Sequence, residues 1–313
     1  MTKKIRHNGR LAQSRIYLGK FLRMFVFQND WKVLPIGALI AALVTFVVGA
    51  NIFKSQEGTQ MGVFALVCVC IWNGFFNSIQ VVCREREIIK REHRSGLHMS
   101  SYIFAQMIYQ LMLCAAQTVI TLIVCNMSGV SFPAAGVVTS WGILDAGITL
   151  LLVTYAADMM ALMVSCIVRT TTTAMTVMPF LLIFQLIFSG TFFNLSGLAE
   201  KVKYLTISHW GTNSLCSIGR YNEQPMVSLW NMLVRFENIE IGGYTPLRDL
   251  LVEMEKNGTR DDFLLWAGQQ CADPGYTAEA GNVIINWIML ILLMIVFMIA
   301  SIVALEFIDR DKR

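Results

Sequence analysis

Charge is what this sequence has least of. Only 15% of its 313 residues are Asp, Glu, Lys or Arg, while 55% are hydrophobic; an ordinary soluble domain carries roughly 25% charge. A soluble chain of this length could not cover its surface with so few polar groups. Disorder is excluded by the same balance, because it needs low hydrophobicity and high charge. The motifs of soluble catalysis are missing too. Gly19-Lys20 is followed by Phe21 and lacks the upstream glycine spacing of a phosphate-binding loop. The four histidines, His7, His93, His98 and His209, show no His-x-x-x-His spacing, and the eight cysteines form neither CxxC nor mixed Cys/His patterns. No enzyme active site, metal or cofactor is expected on this chain. No repeat relates its two halves. A cleavable signal peptide is not expected either: the first apolar block begins after some 32 residues, is of full span length and lacks a small-residue cleavage site, so it should itself direct insertion.

What is present is long apolar runs. Roughly 20 apolar residues cross the hydrocarbon of a bilayer, and six blocks qualify, at 33–53, 61–82, 102–127, about 146–168, 174–193 and 282–305. The fourth carries Gly142, Asp145 and Gly147 at its start, where a lead-in or kink is expected. The expected fold is an all-α polytopic membrane protein with six transmembrane helices. Its parts are a segment 1–32 with an amphipathic helix, spans one to five over 33–193, an outer subdomain at 194–281, and 282–313 with the sixth span and a tail.

The scarce basic residues are sorted by side. Eight precede the first span, five (Arg84, Arg86, Lys90, Arg91 and Arg94) lie between the second and third, Arg169 follows the fourth, and Arg310, Lys312 and Arg313 end the chain. The short loops on the other side hold only Lys54. By the positive-inside rule both termini are cytoplasmic, in the plasma membrane. The net charge of +4 expresses this sidedness, and no nucleic-acid partner is expected.

Three segments carry more information than their length requires. Residues 10–27 read as an amphipathic helix, with Leu11, Leu18, Leu22 and Phe25 on one face, Tyr17 and Phe21 beside them, and Arg15, Lys20 and Arg23 opposite. It serves either as a membrane-surface anchor or as a lever on the first span. The loop 83–101 is dense in charge of both signs around Ile88 and Ile89, and Gly96 suits a helix C-terminal cap. It is either a docking helix, apolar at its centre and ionic at its rim, or a solvated helix whose charges pair internally. The outer stretch is acidic, with 11 Asp and Glu against seven Lys and Arg. Helices are expected at 201–205 and 248–256 and turns at Gly242-Gly243 and Asp273-Pro274-Gly275; the triplets at Asn194 and Asn257 match glycosylation acceptors. Six cysteines lie in or beside spans, whereas Cys216 and Cys271 fall in the outer stretch and are expected to form a disulfide. Within the spans, Asp145 sits near the outer surface and Asp158 lies deeper, either bonding between helices or coupling to protons.

The run Glu85-Arg86, Arg91-Glu92, Gly96 and Ser100-Ser101-Tyr102 resembles the charged loop after the second span in ABC-transporter permeases of the G-subfamily, or type V exporter, class. The run 187–195, followed by Tyr204, Ile207-Ser208 and Trp210-Gly211, resembles the end of that family's fifth span and the re-entrant segment after it. Family members of the half-transporter kind carry a fused nucleotide-binding domain; none is expected on this chain, whose residues show no motif for one.

The resemblance implies the permease subunit of an exporter for hydrophobic or amphipathic cargo. It would work with two copies of a separate ATPase that carries the ATP and Mg, and with a second permease, identical or paralogous. It also implies coupling through a helix at 84–98, with Glu85, Arg86, Ile88, Ile89, Arg91, Glu92 and Gly96. The implied cavity is lined by the second span (Trp72, Asn73 and Phe76, with Val69 and Gln80 on the same face) and the fifth (Thr176, Phe180, Ile183 and Ile187). Thr191 and Phe192 fall at the outer gate, with Pro179 as a hinge beneath. Helix packing alone also accounts for these stripes. A proton-coupled carrier using Asp158 and a non-transporting membrane sensor are the competing function classes.

Overall fold

The computed structural model describes residues 9–27, 30–193, 195–240 and 244–307. Asn194, Gly242-Gly243, the basic residues before position 9 and those of the tail lie outside them. Among the described residues the chain is helical, with no strand. The helices are α1 (Arg10–Phe27), α2 (Val33–Val48), α3 (Gln56–Ser78), α4 (Val81–Arg94), α5 (Met99–Met127), α6 (Gly142–Ile167), α7 (Thr171–Ile187), α8 (Leu198–Val202), α9 (Ile207–Ile218), α10 (Val227–Arg235), α11 (Pro246–Asn257), α12 (Arg260–Gln270) and α13 (Ala280–Glu306).

Among the described residues, five segments are helical, long and apolar enough to cross a membrane: the stretches containing α2, α3, α5, α6 and α13. The fifth apolar block of the sequence forms the shorter apolar helix α7. Each helix follows the run of residues able to satisfy its backbone internally, which is the condition for existing in hydrocarbon.

The core is built around α6, which packs against α3, α5, α9 and α13. Its approach to α3 is close because Gly74 has no side chain: a Cβ there would lie 2.4 Å from the Thr154 carbonyl oxygen and 2.8 Å from the Asp158 nitrogen. Small residues let helix backbones approach where lipid provides no hydrophobic drive. Helix α6 starts at Gly142, after a non-helical lead-in. The carboxylate of Asp145, fully buried, accepts hydrogen bonds from the backbone N–H groups of Val137 (2.8 Å), Val138 (2.9 Å) and Thr139 (3.0 Å), tying the preceding loop to the first helical turn.

Helix α9 folds back into the bundle between α3, α6 and α13. Its first two N–H groups, those of Ile207 and Ser208, donate to Oε1 of Gln185 on α7 at 2.9 and 3.1 Å, so a side chain from another helix caps it. Gln185→Leu should therefore leave two buried donors without partners, at about 1–3 kcal/mol each. A lowered unfolding temperature of the solubilised protein, with Gln185→Glu partly restoring it, is the expected result. Helices α10, α11 and α12 form a separate small core around Trp230, Leu251 and Leu264, with the Arg260 guanidinium over the Trp230 ring at 4.9 Å. The expected helix at 248–256 falls within α11, and Asp273 turns the chain by accepting from the Gly275 N–H.

The expected disulfide is not formed. Cys216 and Cys271 are both free thiols. Because α9 returns into the bundle, Cys216 is buried in the main core, while Cys271 stands exposed at the end of α12.

Candidate functional site

The ionic run after α3 forms α4, separated from α3 only by Ile79 and Gln80. Its end is a Schellman cap: Gly96 takes φ of 102°, its N–H reaches the His93 carbonyl (2.9 Å), and the Leu97 N–H reaches that of Glu92 (3.1 Å). Its start is anchored on α6, where Ser165 Oγ accepts from the N–H groups of Val82 and Cys83. The Arg86 guanidinium donates to the carbonyl oxygens of Cys166 (2.9 Å) and Val168 (3.1 Å), where a cation complements the C-terminal end of α6. Ile89 is fully buried beside these contacts.

A second face of α4 holds α1. Lys20 pairs with Glu85 at 3.0 Å, and the Tyr17 hydroxyl donates to Glu92. Gln13 donates to the Gly96 carbonyl (3.2 Å) and accepts from the His98 N–H (3.0 Å). Burial, and then the Glu92 carboxylate, hold the Tyr17 phenol well above its ordinary range, so it donates as the neutral group. Tyr17 and Phe21 meet the Tyr102 ring edge-on at 5.6 and 5.7 Å. The inward face of α1 is thus Ser14, Tyr17 and Phe21, while Leu11 is 82% exposed and Leu22 is turned outward as well. This is rotated from the purely apolar stripe, because the polar partners on α4 and α5 decide which face turns in.

One face of α4 remains outward. Arg84, Glu87, Ile88 and Arg91 are exposed and recur at i, i+3, i+4 and i+7. Of the expected coupling residues, Ile88 and Arg91 lie on this face, Arg86 and Ile89 are turned into the bundle, Glu85 and Glu92 are engaged by α1, and Gly96 is the cap. Arg84 and Glu87 complete the outward face; helical periodicity started at Arg84 would have marked them.

At the level of the spans, α3 and α7 flank an apolar groove of about 430 Å³, with Cys68, Trp72 and Phe76 on one wall and Met175, Pro179 and Ile183 on the other. Trp72 and Phe76 pack ring to ring at 5.5 Å. Thr176, Phe180 and Ile187 are exposed on α7, Phe180 to 68%. Asn73 does not join them. It is buried toward α2, where a Cβ on Gly37 would meet its Oδ1 at 3.1 Å. Val69 is buried and Gln80 half-buried. At the far end of the groove Phe192 packs edge-on against Phe64 of α3 at 4.8 Å, and Gln60 donates to the Thr191 carbonyl oxygen. Asp158 is fully buried on α6 next to Ser78, and among the described residues neither carboxylate oxygen has a hydrogen bond of normal geometry.

The chain therefore offers an exposed ionic face on a helix nearly continuous with a span, and an apolar groove on that same span. A model of the family described as ABC-2 type transporter matches residues 21–218, which include α3, α4, α7 and α9. No curated protein matches the chain.

Proposed function

The chain belongs to the ABC-2 type transporter family, and from that premise we propose that it is the membrane-spanning permease subunit of an ATP-driven exporter for hydrophobic or amphipathic substrates. Membership supports a multi-pass membrane protein that translocates rather than catalyses. In this reading α7 and the residues to Phe193 serve as a short sixth span, and the basic end with α1 and α4 faces the cytoplasm of the plasma membrane. ATP and Mg are bound by a separate ATPase, two copies of which serve two permease copies, identical or paralogous. The G-subfamily resemblance supports pairing of the two copies across their α3–α7 flanks.

The observation that carries this reading is the near continuity of α3 with α4. A partner pressing on the outward face of α4 displaces the helix that walls the groove. The groove residues then change exposure between two states, biased by the nucleotide state of the partner. The apolar walls suit apolar or amphipathic cargo. Phe192 against Phe64, with Thr191 beside them, closes the outer end.

Purification of the tagged chain from its native membranes should recover an ATPase, and the reconstituted complex should move a lipophilic dye only with ATP and Mg. Dye movement driven by a proton gradient without ATP would overturn the proposal. Within the complex, Trp72→Ala, Phe76→Ala and Phe180→Ala should each weaken substrate stimulation of ATP hydrolysis, by roughly tenfold in apparent affinity where the ring is an anchor. Unchanged stimulation in all three would remove the groove from the pathway.

A further inference from the structure

A second cavity, of about 350 Å³, lies nearer the basic end, among α1, α3, α5, α7 and the start of α4. Phe21, Met24 and Leu113 supply apolar wall, and Phe76 and Met175 line both this cavity and the α3–α7 groove, so the two adjoin. Its inner polar residues are buried: Gln106 and Gln110 are 1% exposed, and Asn77 is engaged with Gln117 by reciprocal bonds of 2.8 and 3.0 Å. The charge is at the rim, where the chain passes from α3 into α4. Gln80 and Arg84 stand one helical turn apart there, the Arg84 N–H donating to the Gln80 carbonyl at 3.0 Å. Gln80 is half-buried and Arg84 exposed, and among the described residues neither side chain has a hydrogen bond or ion pair. The neighbouring Glu85 carboxylate also borders the cavity, but Lys20 pairs with it at 3.0 Å. An unpaired guanidinium and an unpaired amide thus border an apolar hollow that adjoins the groove.

We propose that this cavity is a loading subsite for a single-chain amphiphile with a carboxylate head, which Arg84 and Gln80 bind while the chain passes Phe76 into the groove. The subsite rests on the export reading for its purpose and not for its existence as a binding site. A guanidinium presents parallel N–H donors that match the two oxygens of a carboxylate, and the Gln80 amide adds a donor beside them. The Lys20 ammonium offsets Glu85, so a head with a single negative charge is accepted. A phosphate monoester, with about two charges, meets more repulsion from Glu85 and is disfavoured. An alcohol or a methyl ester leaves the guanidinium without a counter-ion and binds more weakly.

The test is photolabelling of the full chain, without ATPase, in phosphatidylcholine nanodiscs at mildly alkaline pH, with a dodecanoic acid carrying a mid-chain diazirine. Adducts should concentrate on Phe76, Leu113 and Met175, saturate, and be competed by laurate. Dodecanol, methyl laurate and dodecyl phosphate should each compete roughly tenfold less well. Arg84→Gln should lower the labelling roughly tenfold, the scale of one charge-assisted contact, and Arg84→Lys, which keeps the charge without the fork, roughly threefold. Gln80→Leu should lower it roughly threefold, as for one neutral hydrogen bond. Met24→Trp, which fills the cavity from α1, should match Arg84→Gln. Leu111, Met112 and Val119, exposed elsewhere on α5, report labelling from the lipid phase and should not change. Labelling of the cavity residues no stronger than of these three, unchanged labelling in Arg84→Gln, or equal competition by dodecanol would overturn the subsite. Dodecyl phosphate competing as well as laurate would overturn its preference for a carboxylate. Because no ATPase is present, saturable labelling of a chain whose ATPase complex moves no laurate with ATP would overturn the export reading instead.

Discussion

Arg84→Glu, Ile88→Asp and Arg91→Glu, combined in one chain, are expected to abolish recovery of an ATPase from membranes while the purified permease unfolds within a few degrees of the parent. The three residues lie on one exposed face of α4; Ile88 is not part of the buried core, and Arg84 also borders the cavity between α1, α3, α5 and α7. Ile88, 46% exposed, is its apolar centre, and the two arginines flank it one turn to either side. Reversing two charges and placing a carboxylate at the centre removes attraction and adds repulsion, and a loss of about 3 kcal/mol corresponds to roughly a hundredfold in affinity. Exposed substitutions away from caps and cores usually change stability by less than about 0.5 kcal/mol each. Glu85→Lys and Glu92→Lys address a different contact. Their carboxylates engage Lys20 and Tyr17 of α1, and the Lys20 pair is partly exposed, so its contribution is at the low end for salt bridges. These two changes loosen α1 from α4 and are expected to uncouple ATP hydrolysis from transport while much of the ATPase is still recovered. If the triple variant co-purifies with the ATPase as well as the parent does, α4 is not the docking surface.

Gly74→Val is expected to have the largest effect on the fold. A single added carbon at position 74 would meet the Thr154 carbonyl oxygen at 2.4 Å and the Asp158 nitrogen at 2.8 Å, both backbone atoms of α6 that no rotamer change can move. Helix α3 must separate from α6, and this contact organises the core. Overfilling a well-packed core costs about 1–3 kcal/mol when neighbours can adjust; here they cannot, so about 3 kcal/mol or more is expected. Size-exclusion chromatography after solubilisation should show aggregate in place of a monodisperse peak, and Gly74→Ala should be intermediate. A monodisperse, thermally unchanged Gly74→Val protein would mean that α3 and α6 are not held this closely. The same separation would carry Asp158 away from Ser78, so transport by this variant would not test the carboxylate; Asp158→Asn, which keeps the shape, does.

Much of the architecture was legible from residue order. The ends of α2, α5, α6 and α13 fall within a few residues of the apolar blocks, and α1 coincides with its amphipathic run. The cap of α4 was marked by Gly96, because a left-handed C′ position favours the residue without a Cβ. The groove was legible in part: Trp72, Phe76 and Ile183 meet across it, while Asn73, on the same predicted face, is turned toward Gly37.

Two facts of chemistry separate what the sequence determined from what tertiary structure decided. A backbone in hydrocarbon must hydrogen-bond to itself, so the positions of the long apolar helices follow from composition read along the chain. The rotation of each helix about its axis does not. In water an apolar stripe identifies the inward face, but lipid accepts apolar side chains on every face, and α3, α5, α6 and α7 carry apolar residues on every side with only scattered polar ones among them. Which face turns inward is settled by close approach and by polar partners far apart in sequence. Gly74 admits the backbone of α6, Gln185 caps α9, and Tyr17 and Lys20 take up the carboxylates that seemed reserved for a partner. Those pairings placed Arg84, Glu87, Ile88 and Arg91 outward.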